Sequence, residues 1–351
     1  MPFKAAFKAY LRCGMLLGLG ATISLSASPG RRYLRLARKY HPGSRMVYST
    51  EITTHITFRS HPSGLKSFLP DVPGVVIIRP QTTLTVESVR PDGSAEVKDH
   101  FDDFEMLASM ADDPSGDASA QVQKVESAFS QKITGQTLTT LCSPSGRLVG
   151  FSGADTLLKQ LQAPAARGAA RCGLKLLLAQ LGGYGFYPDR PVYVGEIWKR
   201  HASAKLSEAV PLLSRDEDAY RLESLIRYHG VRAAVIAFDL ANSVHPARNT
   251  GASAGLFALL KAQGVTLDIE VSGGGHGTAI VALDDGRILQ EDSLFHESFR
   301  GSLQGLHGVP LPANGPASLD LDTENAVHVI ELAAGFSGRR PKSETRRSGG
   351  L

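Results

Sequence analysis

The chain has 351 residues, 42% hydrophobic and 21% charged, ordinary proportions for a folded protein with room for a large core. Its formal net charge of +4 is carried by its ends: residues 1–42 hold eight Lys/Arg and no acid, and residues 339–351 hold five Lys/Arg and one acid. Residues 43–338 are therefore net acidic by about eight charges and show no sign of the basic face that a nucleic-acid partner requires, so none is expected.

Residues 1–28 read as a signal segment. Lys4, Lys8 and Arg12 precede an acid-free apolar run, and Ser24, Ser26, Ala27 and Ser28 supply small residues suited to cleavage. The run is short for a span, which takes about 20 residues, so no stable membrane span is expected after cleavage. Pro29 and the Arg31-Arg32 pair leave an uncleaved anchor as the alternative. Export to a periplasmic or extracellular space is the expectation.

A first β-rich repeat is expected over 29–166. Residues 84–89 (LTVESV), the turn Arg90-Pro91-Asp92-Gly93 and residues 94–101 (SAEVKDHF) form a hairpin signature. Ala95, Val97 and Phe101 alternate with Glu96, Lys98 and His100, the period of a half-buried strand. A polar loop at 112–119 leads to a helical pattern in Val122, Val125 and Phe129. A second hairpin follows at 137–151, turning on Ser143-Pro144-Ser145-Gly146.

Leu174, Leu177, Leu178 and Leu181 stripe a connecting helix at 167–185, preceded by a helical run at 155–162 and ended by glycines. A second β-rich repeat is expected over 186–335. Its hairpin at 220–240 turns at His229-Gly230 and shares Leu-Glu-Ser with the Val-Glu-Ser of the first. A loop at 242–253, a helix carrying Leu256, Leu259 and Leu260, and a hairpin turning at Asp284-Asp285-Gly286 repeat the order of the first half, which points to duplication. Residues 336–351 read as a disordered basic tail. The fold class expected is α+β: a duplicated, mainly antiparallel, curved, half-barrel-like sheet with a few packed helices.

No catalytic motif emerges. His276 sits in 272–277 (SGGGHG), which reads as a glycine turn and is the one candidate centre for a hydrolase. The acids Asp99, Asp102, Asp103 and Glu105, and Asp112, Asp113 and Asp117, lack the spacing of a cation loop, and His296-Glu297 lacks a second zinc histidine. No metal and no cofactor is expected. Once a signal is removed, Cys142 and Cys172 remain, either as one disulfide worth about 3 kcal/mol or as two unrelated buried thiols. Trp198 reads as a core anchor or as the aromatic wall of a cavity. The residues expected to meet an apolar ligand are Trp198, Phe238, Leu256 and Phe129.

The ordered set YLRLARKYHPGSRMVY (33–48), VRPDGSAEV (89–97), Ser143–Gly146 with Arg147-Leu148, and PVYVGEIW (191–198) resembles a bacterial family of secreted and lipoprotein-like domains. The resemblance covers most of 33–300. Such proteins are similar in pattern to the half-barrel carriers LolA, LolB and mycobacterial LppX, although the lipobox cysteine is missing. The resemblance implies a non-enzymatic envelope protein that binds lipid or lipoprotein acyl chains. The alternative is a structural or assembly protein with an envelope protein as partner.

Overall fold

Eleven strands account for nearly all regular structure in the computed structural model, which describes residues 32–61, 74–109, 126–127, 130–153, 187–205, 212–246, 266–304 and 317–332. They are β1 (Arg45–His61), β2 (Val75–Val89), β3 (Ala95–Ser109), β4 (Thr137–Cys142), β5 (Leu148–Ser152), β6 (Ile197–Lys205), β7 (Leu212–Tyr228), β8 (Val231–Pro246), β9 (Thr266–Ala282), β10 (Ile288–Gln304) and β11 (Ala317–Leu332). All lie in one sheet of order β5-β4-β3-β2-β1-β11-β10-β9-β8-β7-β6, within the unit Leu34–Leu351. The chain thus makes two meanders, which join where β1 pairs antiparallel with β11. The short β5 and β6 form the two edges.

Alternation decides which face turns inward. In β1, Met46, Tyr48 and Ile52 are buried on one face, while Arg45 and His55 are exposed on the other. The same period places Ala95, Val97 and Phe101 of β3, and Ile236 and Phe238 of β8, on the buried face. At one end of the sheet the connections are tight. In the β2–β3 turn, Asp92 Oδ1 accepts from the Ser94 amide (2.9 Å) and hydroxyl (2.6 Å), fixing the turn from its own side chain.

The sheet is rolled. Laid flat, the β4–β5 turn and β6 would lie about 45 Å apart at the usual strand spacing. Yet Leu34 forms a two-bond bridge with Val192, just before β6, and the Arg38 amide donates to Pro144 O in the β4–β5 turn (2.9 Å). Four residues of chain reach at most about 14 Å, so the two edges are drawn toward each other at this end. The Lys39 amide donates to Asp285 O in the β9–β10 turn (2.8 Å), so residues 34–39 cross the base of the rolled sheet. Gly286 makes that crossing possible. Its φ is +68°, and a Cβ there would strike the Ala37 carbonyl.

This architecture corrects the α+β expectation. Among the described residues the protein is nearly all antiparallel sheet, with helical turns only at 126–127 and 130–133. Toward the tight turns, apolar strand faces pack in clusters, and Leu36 of the base segment joins one of them. The helical runs expected at 155–162 and 167–185 and around Leu256 lie outside the described residues, as do the signal segment and the basic tail.

The glycine run 272–277 is not a turn. It lies in the middle of β9, with Gly273, Gly275 and Gly277 on the inner face. A Cβ at Gly277 would sit 2.5 Å from Phe238 Cζ, and one at Gly275 would strike the Phe295 ring. These glycines make room for aromatic rings projecting from the strands on either side. Gly277→Val should therefore destabilise the protein by about 1–3 kcal/mol through overpacking. His276→Ala, on the outer face of the same strand, should cost no more than about 0.5 kcal/mol. Urea unfolding of both variants measures the contrast, and equal losses would contradict it.

Candidate ligand-binding interior

Strand register arranges the inner side chains in rows across the sheet. One such row runs Trp198–Tyr220–Phe238–Gly277–Ser293–Val327–Ile52–Ile78–Met106, in direct cross-strand sequence. Trp198 stacks on Tyr220 with ring centroids 5.7 Å apart, and Tyr220 meets Phe238 at 6.5 Å. Two of the expected ligand-lining residues, Trp198 and Phe238, are thus brought together in one buried apolar cluster. Leu256 and Phe129 lie outside the described residues.

Toward the long-connection end the rows change character. Arg200 and Asp218 pair at 2.8 Å beside the aromatic wall, and the Tyr220 hydroxyl donates to the same carboxylate oxygen at 3.0 Å. Burial pushes the Asp218 carboxyl above its ordinary range despite the opposing pull of Arg200. In the row of Asp216, Asn242, Gly273, Glu297 and Thr323, the Asn242 amide donates to Glu297 across the glycine at 3.2 Å. Beyond it comes a wholly apolar belt, Val244–Val271–Phe299–Leu321–Phe58, in register over five strands. Val244 is buried, but the other four are only half-buried although they face inward.

Two carboxyl groups are sunk in this interior. Glu291 is fully buried between Ala279 and Val329; its Oε1 accepts from the Ser293 hydroxyl (3.4 Å) and its Oε2 has no partner. Burial raises its pKa to about 8. Asp99, on the inner face of β3, is raised to about 7 for the same reason, opposed by a hydrogen bond from Thr140. Both hold protons around neutrality that an unfolded chain would release. Glu291 escaped the sequence reading, although its place two residues from Leu289 and Ser293 puts it in the inward period.

The base segment builds a second polar feature. Arg38 donates from Nη2 to Met46 Sδ (2.6 Å) and lies over the Tyr40 ring at 5.3 Å. Tyr48 nearby is buried and its pKa rises to about 12. Arg38 borders a cavity of about 470 Å³ at the tight-turn end, walled in part by Met46, Val86, Val231 and Leu289. A smaller cleft of about 370 Å³ lies between the β4–β5 turn and β6, with Arg147, Trp198 and Lys199 in its lining.

The candidate catalytic and metal-binding residues are scattered over both faces of the sheet. His276 projects from the outer face opposite Asp239 and Leu294 and makes no hydrogen bond among the described residues. Asp99 points inward, whereas Asp102 accepts from Thr83 (2.6 Å) and Glu105 pairs with Arg79 (3.1 Å) on the outer face. Asp112, Asp113 and Asp117 lie outside the described residues. His296 and Glu297 occupy opposite faces of β10. Among the described residues no three His, Cys, Asp or Glu side chains are placed to hold a metal ion. Cys142 is a buried free thiol, 3.8 Å from Thr140 Oγ1, and Cys172 lies outside the described residues.

No family model and no curated protein matches the chain. Among solved structures it is similar to one reported for lipid–protein interactions in lipovitellin, at 10% identity and a TM-score of 0.35, over 84% of this chain and 25% of that one. It is also similar to the outer membrane protein OprG of Pseudomonas aeruginosa, at 6% identity and a TM-score of 0.20, over 83% of this chain and 97% of that one. The chain spans about a quarter of the lipovitellin chain.

The raised carboxyls set a pH dependence. Between the ordinary Glu value and about 8, the folded state keeps the Glu291 proton while the unfolded state gives its own up. Stability therefore falls as pH rises through that window, by at most about 1.4 kcal/mol per pH unit for one such group. Glu291→Gln should flatten the decline in melting temperature between pH 5 and 8 and raise the melting temperature at pH 8. A variant with the wild-type slope would refute the assignment.

Proposed function

We propose that the protein is a non-enzymatic, exported carrier that holds an apolar ligand, such as lipid or lipoprotein acyl chains, inside its rolled sheet. The belt Phe58–Leu321–Phe299–Val271 carries this reading, because it keeps apolar surface turned inward yet only half covered. Apolar area of that kind gains about 25 cal/mol per Å² when a ligand takes it from water. The polar row beside the belt offers Asn242, Glu297 and Thr323 to the ligand's polar end.

The outer face suits water. Glu51, Arg79 and Glu105 form a cross-strand ion-pair ladder (2.7 and 3.1 Å), Glu87 pairs with Lys98 (3.0 Å), and Asp292 meets His328 (2.5 Å). Charges such as Arg and Lys at mid-height of a lipid-facing barrel wall would cost about 2–4 kcal/mol each. Among the described residues no helix is long and apolar enough to cross a membrane. An apolar lining inside a charged exterior is the polarity of a carrier in an aqueous compartment. The envelope location rests on the composition of residues 1–28.

Full-length chain expressed in a bacterial host and purified from the periplasmic fraction without detergent should carry co-purifying lipid in native mass spectrometry. Phe299→Asp should lower the lipid-bound fraction at least about tenfold while leaving the β-sheet circular dichroism intact. Lipid-free wild-type protein, or chain retained in the cytoplasm, would overturn the reading.

A further inference from the structure

A largely enclosed arginine that makes no direct ion pair marks the base of the sheet. The Arg38 guanidinium is packed among Tyr40, Tyr48, Tyr187 and Met46, and its Nη1 is buried without a hydrogen-bond partner. The nearest carboxylates are already taken. Arg287 binds Asp285 at 2.7 Å and Glu331 at 3.0 Å, so neither forms an ion pair with Arg38. A sulfur acceptor and one aromatic ring are weak company for a guanidinium, whose planar fork matches carboxylate or phosphate oxygens. Asp285 acts on Arg38 only at longer range, and an incoming oxyanion would supply the direct pairing that its fork lacks.

The adjoining cavity matches this demand on its other side. Its volume of about 470 Å³ falls in the usual range for small-molecule sites, roughly 300–1,000 Å³. Met46, Val86, Val231, Leu289 and Leu332 give it an apolar wall. Arg38, Lys39, Arg45 and Arg287 outnumber Asp285 and Glu331 in the same lining, so its field favours an anion. Arg38 is held in place by its own backbone, whose amide is bonded to Pro144 O.

We propose that the base cavity binds an amphiphilic anion, an alkyl carboxylate or alkyl phosphate, with its head group on Arg38 and its chain against the Met46–Val86–Leu289 wall. The site stands apart from the Phe58–Phe299 belt, and the two are separable by mutation.

The test is isothermal titration of the full-length, detergent-free protein with octanoate, octyl phosphate, octanol and inorganic phosphate. Octanoate and octyl phosphate should bind at least about tenfold more tightly than octanol or inorganic phosphate. Arg38→Met should bring octanoate down to the level of octanol and leave octanol unchanged. Val231→Trp, which fills the cavity while keeping Arg38, should abolish octanoate binding and serves as the second variant where Arg38→Met fails to fold. His276→Ala, on the outer face, should leave octanoate binding as it is. The proposal falls if octanol or inorganic phosphate binds as tightly as the alkyl anions, or if octanoate binding survives both base variants. Loss of octanoate binding in Phe299→Asp alone would place the ligand on the belt, overturning the base site and sparing the proposed carrier.

Discussion

The bridge between Leu34 and Val192, and the bond from the Arg38 amide to Pro144, hold the two edges of the sheet within a few residues' reach of each other. Nearly everything else follows from that closure. An eleven-stranded antiparallel sheet left flat would expose one apolar face along its whole width, and among the described residues no helix of seven or more residues covers it. Drawing the edges together turns the face on itself. The clusters around Tyr220 and around Tyr48 then become two sides of one interior, with Phe295 and Ile288 packed against both. The segment that performs the closure also delivers Arg38 and Tyr40 to the base.

The interior is graded along its height. Near the tight turns, aromatic and branched side chains fill the space and the register glycines Gly275 and Gly277 let the rings interlock. Higher up, the ion pair of Arg200 with Asp218 and the Asn242–Glu297 bond interrupt the apolar surface, before Phe299 and its neighbours restore it. Buried carboxyls such as Glu291 and Asp99 are tolerated because they stay protonated, which spares the charge from leaving water. A large solvated mouth at this level would have kept those groups ionised.

The hairpins were legible from local chemistry alone. Asp92-Gly93, Ser145-Gly146, His229-Gly230 and Asp285-Gly286 each supply a turn residue and a glycine of positive φ, flanked by alternating strands. What escaped was set by partners distant in the chain. The run 272–277 resembles a turn because glycine has no strand preference, and its role depends on Phe238 and Phe295, which only the register brings beside it. Arg38 was counted with the basic end of the chain, since composition cannot separate a solvated arginine from one buried in a base segment. The pairing of Trp198 with Phe238 passes through Tyr220, so it needs the order of three strands, and periodicity within one strand does not contain it. The curl of the sheet escaped for the same reason: it leaves no periodic mark in the sequence of any one strand.

The strand order also dictates a schedule. β1 lies between β2 and β11, so Val47 on one of the first-made strands waits for Leu332 on the last. Until that strand arrives, β1 presents a seventeen-residue ladder of unpaired amides and carbonyls with an apolar face beside it. Such an open edge invites pairing with another chain, and closing it last makes assembly slow relative to local hairpin formation. The first meander must therefore be kept from its neighbours while the second is still emerging, a burden that falls on whatever machinery handles the nascent chain rather than on the finished protein.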